Sequence, residues 1–469
     1  MKTSTKWIIT ALSIIIFLLA CYYAYTLRKI IVIGTAYKAK ILCSGIFVSK
    51  RSPETIIDED LLADDLAPLR HISTTVDYYS HSVTATFFGL AKRKAIYRPG
   101  LGCTLVIGTS EKKLRSATCT LPIPLRNMHK DLPWPEGEYI RTDDIPPEIN
   151  FRDLTTIIDD AFVEPDAARL RRTRAVVITY NGHIIAERYA PGFSCSTPLI
   201  GWTMTGSVIN ALTGILVGKG KLSLRDHNLV PKWCNPGDLR GQITLNQLLR
   251  MTSGLSGEAN GFGSLGMLLS TGDVAAHAAD MTLVATPGTK WNFSSETTNI
   301  ISGILRRTVE KMGDIYCSFP KRSLFNKIGM STAVIEPDAS GTFVGSSFMY
   351  ASARDWARFG LLYLQDGIWA KKRILPEGWV KYSRKPTPIS PHNMYGAHFW
   401  LEIPPFYRTN KSNNLVLPPD TFHAVGYEGQ FITIIPSHKL VIVRLGLTRK
   451  KGAWDHRLFV ASILKAVSH

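Results

Sequence analysis

Thr197-Pro198-Leu199-Ile200-Gly201-Trp202 runs straight into Thr203-Met204-Thr205-Gly206-Ser207-Val208, and the fold turns on how this stretch is read. A short β-type run breaks at a glycine and an aromatic residue, and a helix begins behind it. Val208, Leu212, Ile215 and Leu216 recur at helical spacing and give that helix a buried stripe. Gly218 is the expected stop, and Thr203 stands where a side-chain cap belongs.

Strand signals lie far out on both sides of this helix. Upstream, two β-rich arms, Val176 to Tyr180 and Ile184 to Tyr189, meet at Asn181-Gly182, the dipeptide that tight hairpins favour. A helix over Phe151 to Phe162 precedes them. Downstream, Phe431 to Ile435 and Leu440 to Leu445 are separated by Pro436-Ser437-His438-Lys439, and an amphipathic helix follows from Trp454 to Val467. Between the two strand pairs fall helices such as Leu245 to Met251, capped by Thr244, and Arg354 to Gln365, with Trp356, Phe359, Leu362 and Tyr363 at core-facing spacing. The pattern predicts an α+β domain over 151–469: one antiparallel sheet flanked by helices, with the Thr203 helix packed beneath it.

The N-terminal part reads differently. Lys2 and Lys6 precede an apolar run from Trp7 to Leu27, closed by Arg28 and Lys29 and long enough to span a bilayer. Residues 1–29 are therefore taken as a single-pass membrane anchor, with the main domain outside the cytoplasm. Leu18-Leu19-Ala20-Cys21 offers a competing reading as a lipoprotein-processing site at Cys21. Residues 30–131 read as a small β-rich lobe, alternating turns with β-type runs from about Ile33 to Arg126, such as Ser82 to Phe88 and Cys103 to Gly108. The lobe's Cys43 and Cys103 are either a disulfide or two buried thiols. Residues 132–150, with Leu132-Pro133-Trp134-Pro135-Glu136-Gly137 and Pro146-Pro147, form a linker that neither a helix nor a central strand accommodates.

Composition narrows the function classes. With 469 residues, 45% of them hydrophobic and 20% charged, the chain can bury a full core. Its formal net charge of +18 is scattered and not interleaved with stacking aromatics, which argues against a nucleic-acid groove and fits a basic surface beside an anionic membrane. The seven cysteines contain no Cys-x-x-Cys pair and no neighbouring histidine set, so neither a metal nor another cofactor is implied.

Acyl transfer by a serine enzyme needs a nucleophile on a rigid element, a base beside it and N–H donors for the oxyanion. One arrangement places Ser-x-x-Lys on the first turn of a buried helix, where a spacing of three puts amine and hydroxyl on one face. Four stretches resemble that set in order and spacing: Thr197 to Trp202 leading into a helix, Ile243-Thr244 to Ser253-Gly254-Leu255, Pro287-Gly288-Thr289 to Asn299, and Gly426 to Gln430. Together they make most of 151–469 resemble the penicillin-binding-protein and class C β-lactamase serine hydrolases, in the branch that includes 6-aminohexanoate-dimer hydrolases.

The resemblance also marks what is missing. The nucleophile and lysine positions are Thr203 and Gly206, the Tyr of a Tyr-Ser-Ser segment is Phe293, and the His of Gly-His-x-Gly-Gln is Tyr427. By the resemblance these four share a cleft, with Thr203, Gly429 and Gln430 at the oxyanion side. Simpler roles stand beside these: Thr203 as a cap, Phe293 as packing, Tyr427 as a cleft-wall aromatic. Of the residues near enough to substitute as a base, Lys290, Ser207 and Glu296, Glu296 is the most interesting, because a carboxylate beside a partly buried hydroxyl can act as a general base. The expectation is a membrane-anchored pseudoenzyme whose cleft takes a small molecule, a peptide or a cell-wall-type fragment. The alternative is a weak amidase or esterase using Thr203 with a base from outside the family positions.

Overall fold

The computed structural model describes residues 2–117, 119, 131–140, 149–257 and 263–467, excepting the side chains of residues 2–6. Pro146-Pro147 and Arg126 therefore lie outside the described residues.

Anchor and lobe do not meet at Arg28-Lys29 as the sequence suggested. A single helix, α1 (Lys2–Phe47), runs through that boundary. Its apolar residues from Trp7 to Leu27 are exposed, whereas Ala36, Ala39, Leu42, Cys43 and Ile46 are buried. Every residue from Thr35 to Phe47 is buried, so this part of the helix is enclosed on all sides, and a helix already under way extends without a new nucleus. The β-type reading that began at Ile33 fails for this reason.

The lobe's strands start later. β1 (Ile72–Asp77), β2 (Ser82–Phe87), β3 (Leu90–Arg98) and β4 (Gly102–Leu105) form an antiparallel sheet in sequence order, and the buried half of α1 lies against it. Cys43 on α1 and Cys103 on β4 meet as two buried free thiols, with their sulfurs 2.6 Å apart. The covalent link is elsewhere: Cys119 is bonded to Cys317 across 198 residues, which ties the lobe to the main domain.

A buried ion pair makes a second tie. Lys40 of α1 reaches Glu336 of the main domain, which is fully buried. Glu336 also accepts from Ser44 Oγ at 2.9 Å and from the Cys103 amide at 2.6 Å, and Lys40 donates to the Cys103 carbonyl at 2.8 Å. Burial pushes the Glu336 carboxyl up and the Lys40 charge pulls it back.

The main domain matches the α+β expectation. Its elements are α2 (Phe151–Ala161), β5 (Thr173–Tyr180), β6 (His183–Tyr189), α3 (Met204–Gly218), α4 (Gly263–Ser270), α5 (Ser295–Lys311), α6 (Ala353–Leu364), β7 (Phe422–Gly426), β8 (Gln430–Ile435), β9 (Leu440–Gly446) and α7 (His456–Val467). The sheet is antiparallel in the order β7-β8-β9-β5-β6, so both strand pairs read from the sequence share it. Asn181 and Gly182 turn the first hairpin with φ of 49° and 86°, a conformation these two residues adopt at low cost. Leu154, Ile158, Phe459 and Ile463 of α2 and α7 pack on one face against Val176, Ile178 and Ile442. On the other face, Gly360 of α6 comes so close to Val441 and Ile432 that a Cβ would lie 2.5 Å from Val441 Cγ1. Gly218 is the last residue of α3 and not its stop; Gly220, at φ +64°, turns the chain away.

Candidate functional site

Thr203 sits at the mouth of α3, half-buried, but it is not the side-chain cap its position suggested: its side chain makes no capping hydrogen bond. Trp202 before it is held at φ +47°, a left-handed conformation that costs an aromatic residue about 1–2 kcal/mol and needs support from its surroundings. That support comes from the last motif. The Trp202 indole donates to Glu428 Oε2 at 2.7 Å, and its ring meets Tyr427 edge-on with centroids 5.7 Å apart. A Cβ on Gly426 would lie 2.1 Å from the Gly201 carbonyl, so the two motifs touch through their backbones.

Glu428 was not singled out in the sequence. It is buried at φ +63°, and its other oxygen pairs with Arg449, which also holds Asp65 of the N-terminal region at 2.8 and 3.0 Å. Burial raises the Glu428 carboxyl, and Arg449 opposes the rise. The lobe thus braces the Tyr427 loop. Tyr427 itself is 46% exposed, with the Arg449 guanidinium 5.5 Å from its ring centroid.

The decisive feature surrounds Gly206. A Cβ there would lie 2.9 Å from His398 Cδ2 and 3.7 Å from Thr298 Cγ2. The space that a lysine side chain would need is occupied by the His398 imidazole. His398 Nδ1 is 2.9 Å from the Leu249 carbonyl and its Nε2 is 3.0 Å from Thr298 Oγ1. A carbonyl only accepts, so Nδ1 carries the proton and Nε2 accepts from the threonine hydroxyl. Ser207 Oγ donates to the His398 carbonyl at 2.6 Å, and Asn210 donates to the Ala397 carbonyl at 2.9 Å. Ser207, considered as a substitute base, is therefore committed to holding His398.

Phe293 closes the third motif within a separate aromatic group. Its ring centroid is 5.3 Å from Trp400, 5.9 Å from Tyr395 and 6.4 Å from Trp291. Ser294 caps α5, and Thr298 on the next turn brings that helix to His398 and Gly206. Glu296 is buried at 1% exposure and accepts from Ser294 Oγ at 2.8 Å and Ser264 Oγ of α4 at 3.3 Å. Lys290 is exposed.

The oxyanion assignments need correction. The Gly429 amide donates to the Tyr407 hydroxyl at 2.9 Å and is not free for an oxyanion. The Gln430 side chain is spent on strand pairing: it donates to the Gly446 carbonyl at 2.6 Å and accepts from the Gly446 amide at 3.0 Å.

Three buried histidines couple stability to pH. Burial lowers His398 to about 4 and His423 to about 3, and it puts His456 well below the ordinary value. His423 and His456 flank the Thr433 hydroxyl at 2.9 and 2.8 Å. All three are neutral when folded, whereas the unfolded chain protonates its histidines near pH 6.5, so below that value the unfolded state binds more protons. Stability is expected to be complete above about pH 6.5 and to fall as pH drops from there towards 4, seen as a falling urea midpoint. A midpoint flat from pH 7.5 to 4.5 would contradict the buried neutral assignment.

Comparison with known proteins agrees with the geometry. The Beta-lactamase family model matches residues 158–458. An uncharacterized protein of Alkalihalophilus pseudofirmus is 30% identical over 102 residues, a match spanning 20% of this chain and 29% of that protein. Among solved structures, a Bacillus anthracis protein assigned as a 6-aminohexanoate-dimer hydrolase superposes with a TM-score of 0.53 at 19% identity, over 67% of this chain and 81% of its own. A penicillin-binding protein homologue from Caulobacter crescentus gives 0.52 at 13% identity, over 68% and 96%. At these identities the structures establish the fold alone, while the family model covers well over half of the sequence: the chain belongs to the beta-lactamase family.

Proposed function

We propose that this is a membrane-tethered, non-hydrolytic member of its family that binds a ligand at the Trp202–Tyr427 elbow ahead of α3. The observation that carries this reading is His398 in the lysine's space. A neutral imidazole with its basic nitrogen engaged by Thr298 and no carboxylate bonded to it is poorly placed to take a proton. Phe293 contributes no hydroxyl, so no residue at a matched position serves as the base. The exposed face of Tyr427 favours a ligand with an apolar or ring-containing part, such as a small molecule, a peptide or a cell-wall-type fragment. The Cys119–Cys317 disulfide supports placing the main domain outside the cytoplasm, with α1 as its anchor.

A second reading, weak amidase or esterase activity through Thr203, draws on the strained Trp202 elbow and the uncapped hydroxyl behind it. A fluorophosphonate probe on the purified full chain separates the two. The expected result is no covalent label at any pH tested. Labelling that disappears in Thr203→Ala supports the second reading, and turnover of p-nitrophenyl butyrate at ordinary enzymatic rates would end the first.

A further inference from the structure

The hairpin between β2 and β3 turns on two residues, Phe88 at φ +47° and Gly89 at φ +78°. The main-domain hairpin meets the same demand with Asn181-Gly182. A phenylalanine in this conformation is strained. Its ring meets Phe87 edge-on with centroids 4.7 Å apart, yet Phe88 stays 76% exposed and Leu90 beside it 70%. Lys92 follows, exposed, then Arg93, whose guanidinium donates to the Lys92 carbonyl at 3.0 Å and, among the described residues, to no other group. Neither forms a salt bridge among the described residues, although Lys94 is paired with Glu111 at 2.6 Å.

The position of this tip follows from the register. Ile72 opposes Phe87 across β1 and β2. Ile72 lies beside Gly34 of α1, where an added Cβ would be 3.1 Å from its Cδ1, and its carbonyl accepts from Lys38 Nζ at 2.7 Å. The hairpin therefore turns at the end of the lobe where α1 becomes exposed. Burial and then the Arg28 charge lower the Arg93 guanidinium from its ordinary value, which places Arg93 near the residue that closes the apolar span. The opposite end of the lobe, where the Tyr78 ring lies 6.1 Å from Phe47, is about 27 Å further along the helix from Lys29.

We propose that the β2–β3 tip is a second membrane contact, in which Phe88 and Leu90 enter the interfacial layer of an anionic leaflet while Arg28, Lys92 and Arg93 face lipid phosphates. The inference rests on α1 spanning the bilayer through Trp7 to Leu27. An anionic leaflet is the partner because the tip carries exposed apolar side chains beside basic residues that form no salt bridge among the described residues, and basic residues are drawn to an anionic surface. The part of the Phe88 ring left exposed beyond its edge-on contact with Phe87 then has an apolar partner.

The test uses the full chain in vesicles of phosphatidylcholine and phosphatidylglycerol carrying a diazirine phospholipid, with adducts mapped by peptide mass spectrometry. Adducts are expected on the Phe88–Leu90 peptide and on Trp7 to Leu27, and not at Tyr78-Tyr79. Phe88→Asp with Leu90→Asp should remove the hairpin adducts and spare those of the anchor. Lys92→Gln with Arg93→Gln should lower the hairpin yield severalfold. Adducts confined to Trp7–Leu27 would overturn the proposal while keeping the anchor; adducts on neither segment would overturn both.

Discussion

Gly206→Lys made alone is expected to lower stability by about 1–3 kcal/mol through overpacking against His398, although lysine is the better helix former by about 1 kcal/mol. Adding Thr203→Ser and Phe293→Tyr to it should leave p-nitrophenyl butyrate hydrolysis at the wild-type level, because the ammonium cannot take its place while the imidazole is there. His398→Ala is the change that should release it. With the ring gone, the lysine amine can donate to the Leu249 carbonyl and the Thr298 hydroxyl that His398 now engages, so no buried polar group is orphaned. The fourfold variant should then regain stability and show hydrolysis well over 10-fold above wild type, a fraction of the roughly 10⁴ to 10⁶ that such a coupled set is worth. The comparison is made by urea midpoints and initial rates across pH. A threefold variant as active as the fourfold one would show that His398 does not block the site.

Lys40→Met is expected to cost about 3–5 kcal/mol, since it leaves Glu336 buried without its cation. Lys40→Met with Glu336→Leu should be milder than Lys40→Met alone, because both charges go together, although the Cys103 amide and carbonyl and Ser44 lose their side-chain partners. Urea unfolding of the detergent-solubilised full chain measures both. A single variant as stable as the double one would mean that the pair is not as dry as its burial implies.

Much of the main domain was legible because its signals are local. Asn181-Gly182 fixes a turn by backbone preference alone, and the β-branched runs on either side carry the sheet whatever lies between. The continuous α1 was not legible, since lysines at 38 and 40 interrupt the apolar pattern and find their partners only in the folded protein, at Ile72 and Glu336. His398 was hidden for the same reason. Nothing around Gly396-Ala397-His398 marks a buried imidazole, and the space opposite Gly206 exists only once α3, α5 and this loop are assembled. Gly429 misled because the hydroxyl that takes its amide is 22 residues away on Tyr407. Seven cysteines could not announce that Cys119 and Cys317 are the bonded pair.

The unbroken passage of α1 from its exposed span to Lys40 fixes the direction of that span relative to the lobe and, through Glu336, to the main domain. About 20 Å of helix separates Leu27 from Lys40, and each residue advances the helix by about 1.5 Å and turns it by about 100°. One residue inserted ahead of Thr35 would leave Lys40 on Glu336 and turn the exposed span by about 100° relative to the lobe, so no change of stalk length comes without a change of azimuth. With Trp7 to Leu27 in a bilayer, the main domain would not sweep the surrounding volume as it would on a flexible tether. A rigid stalk of this kind would hold it at one height above the membrane surface.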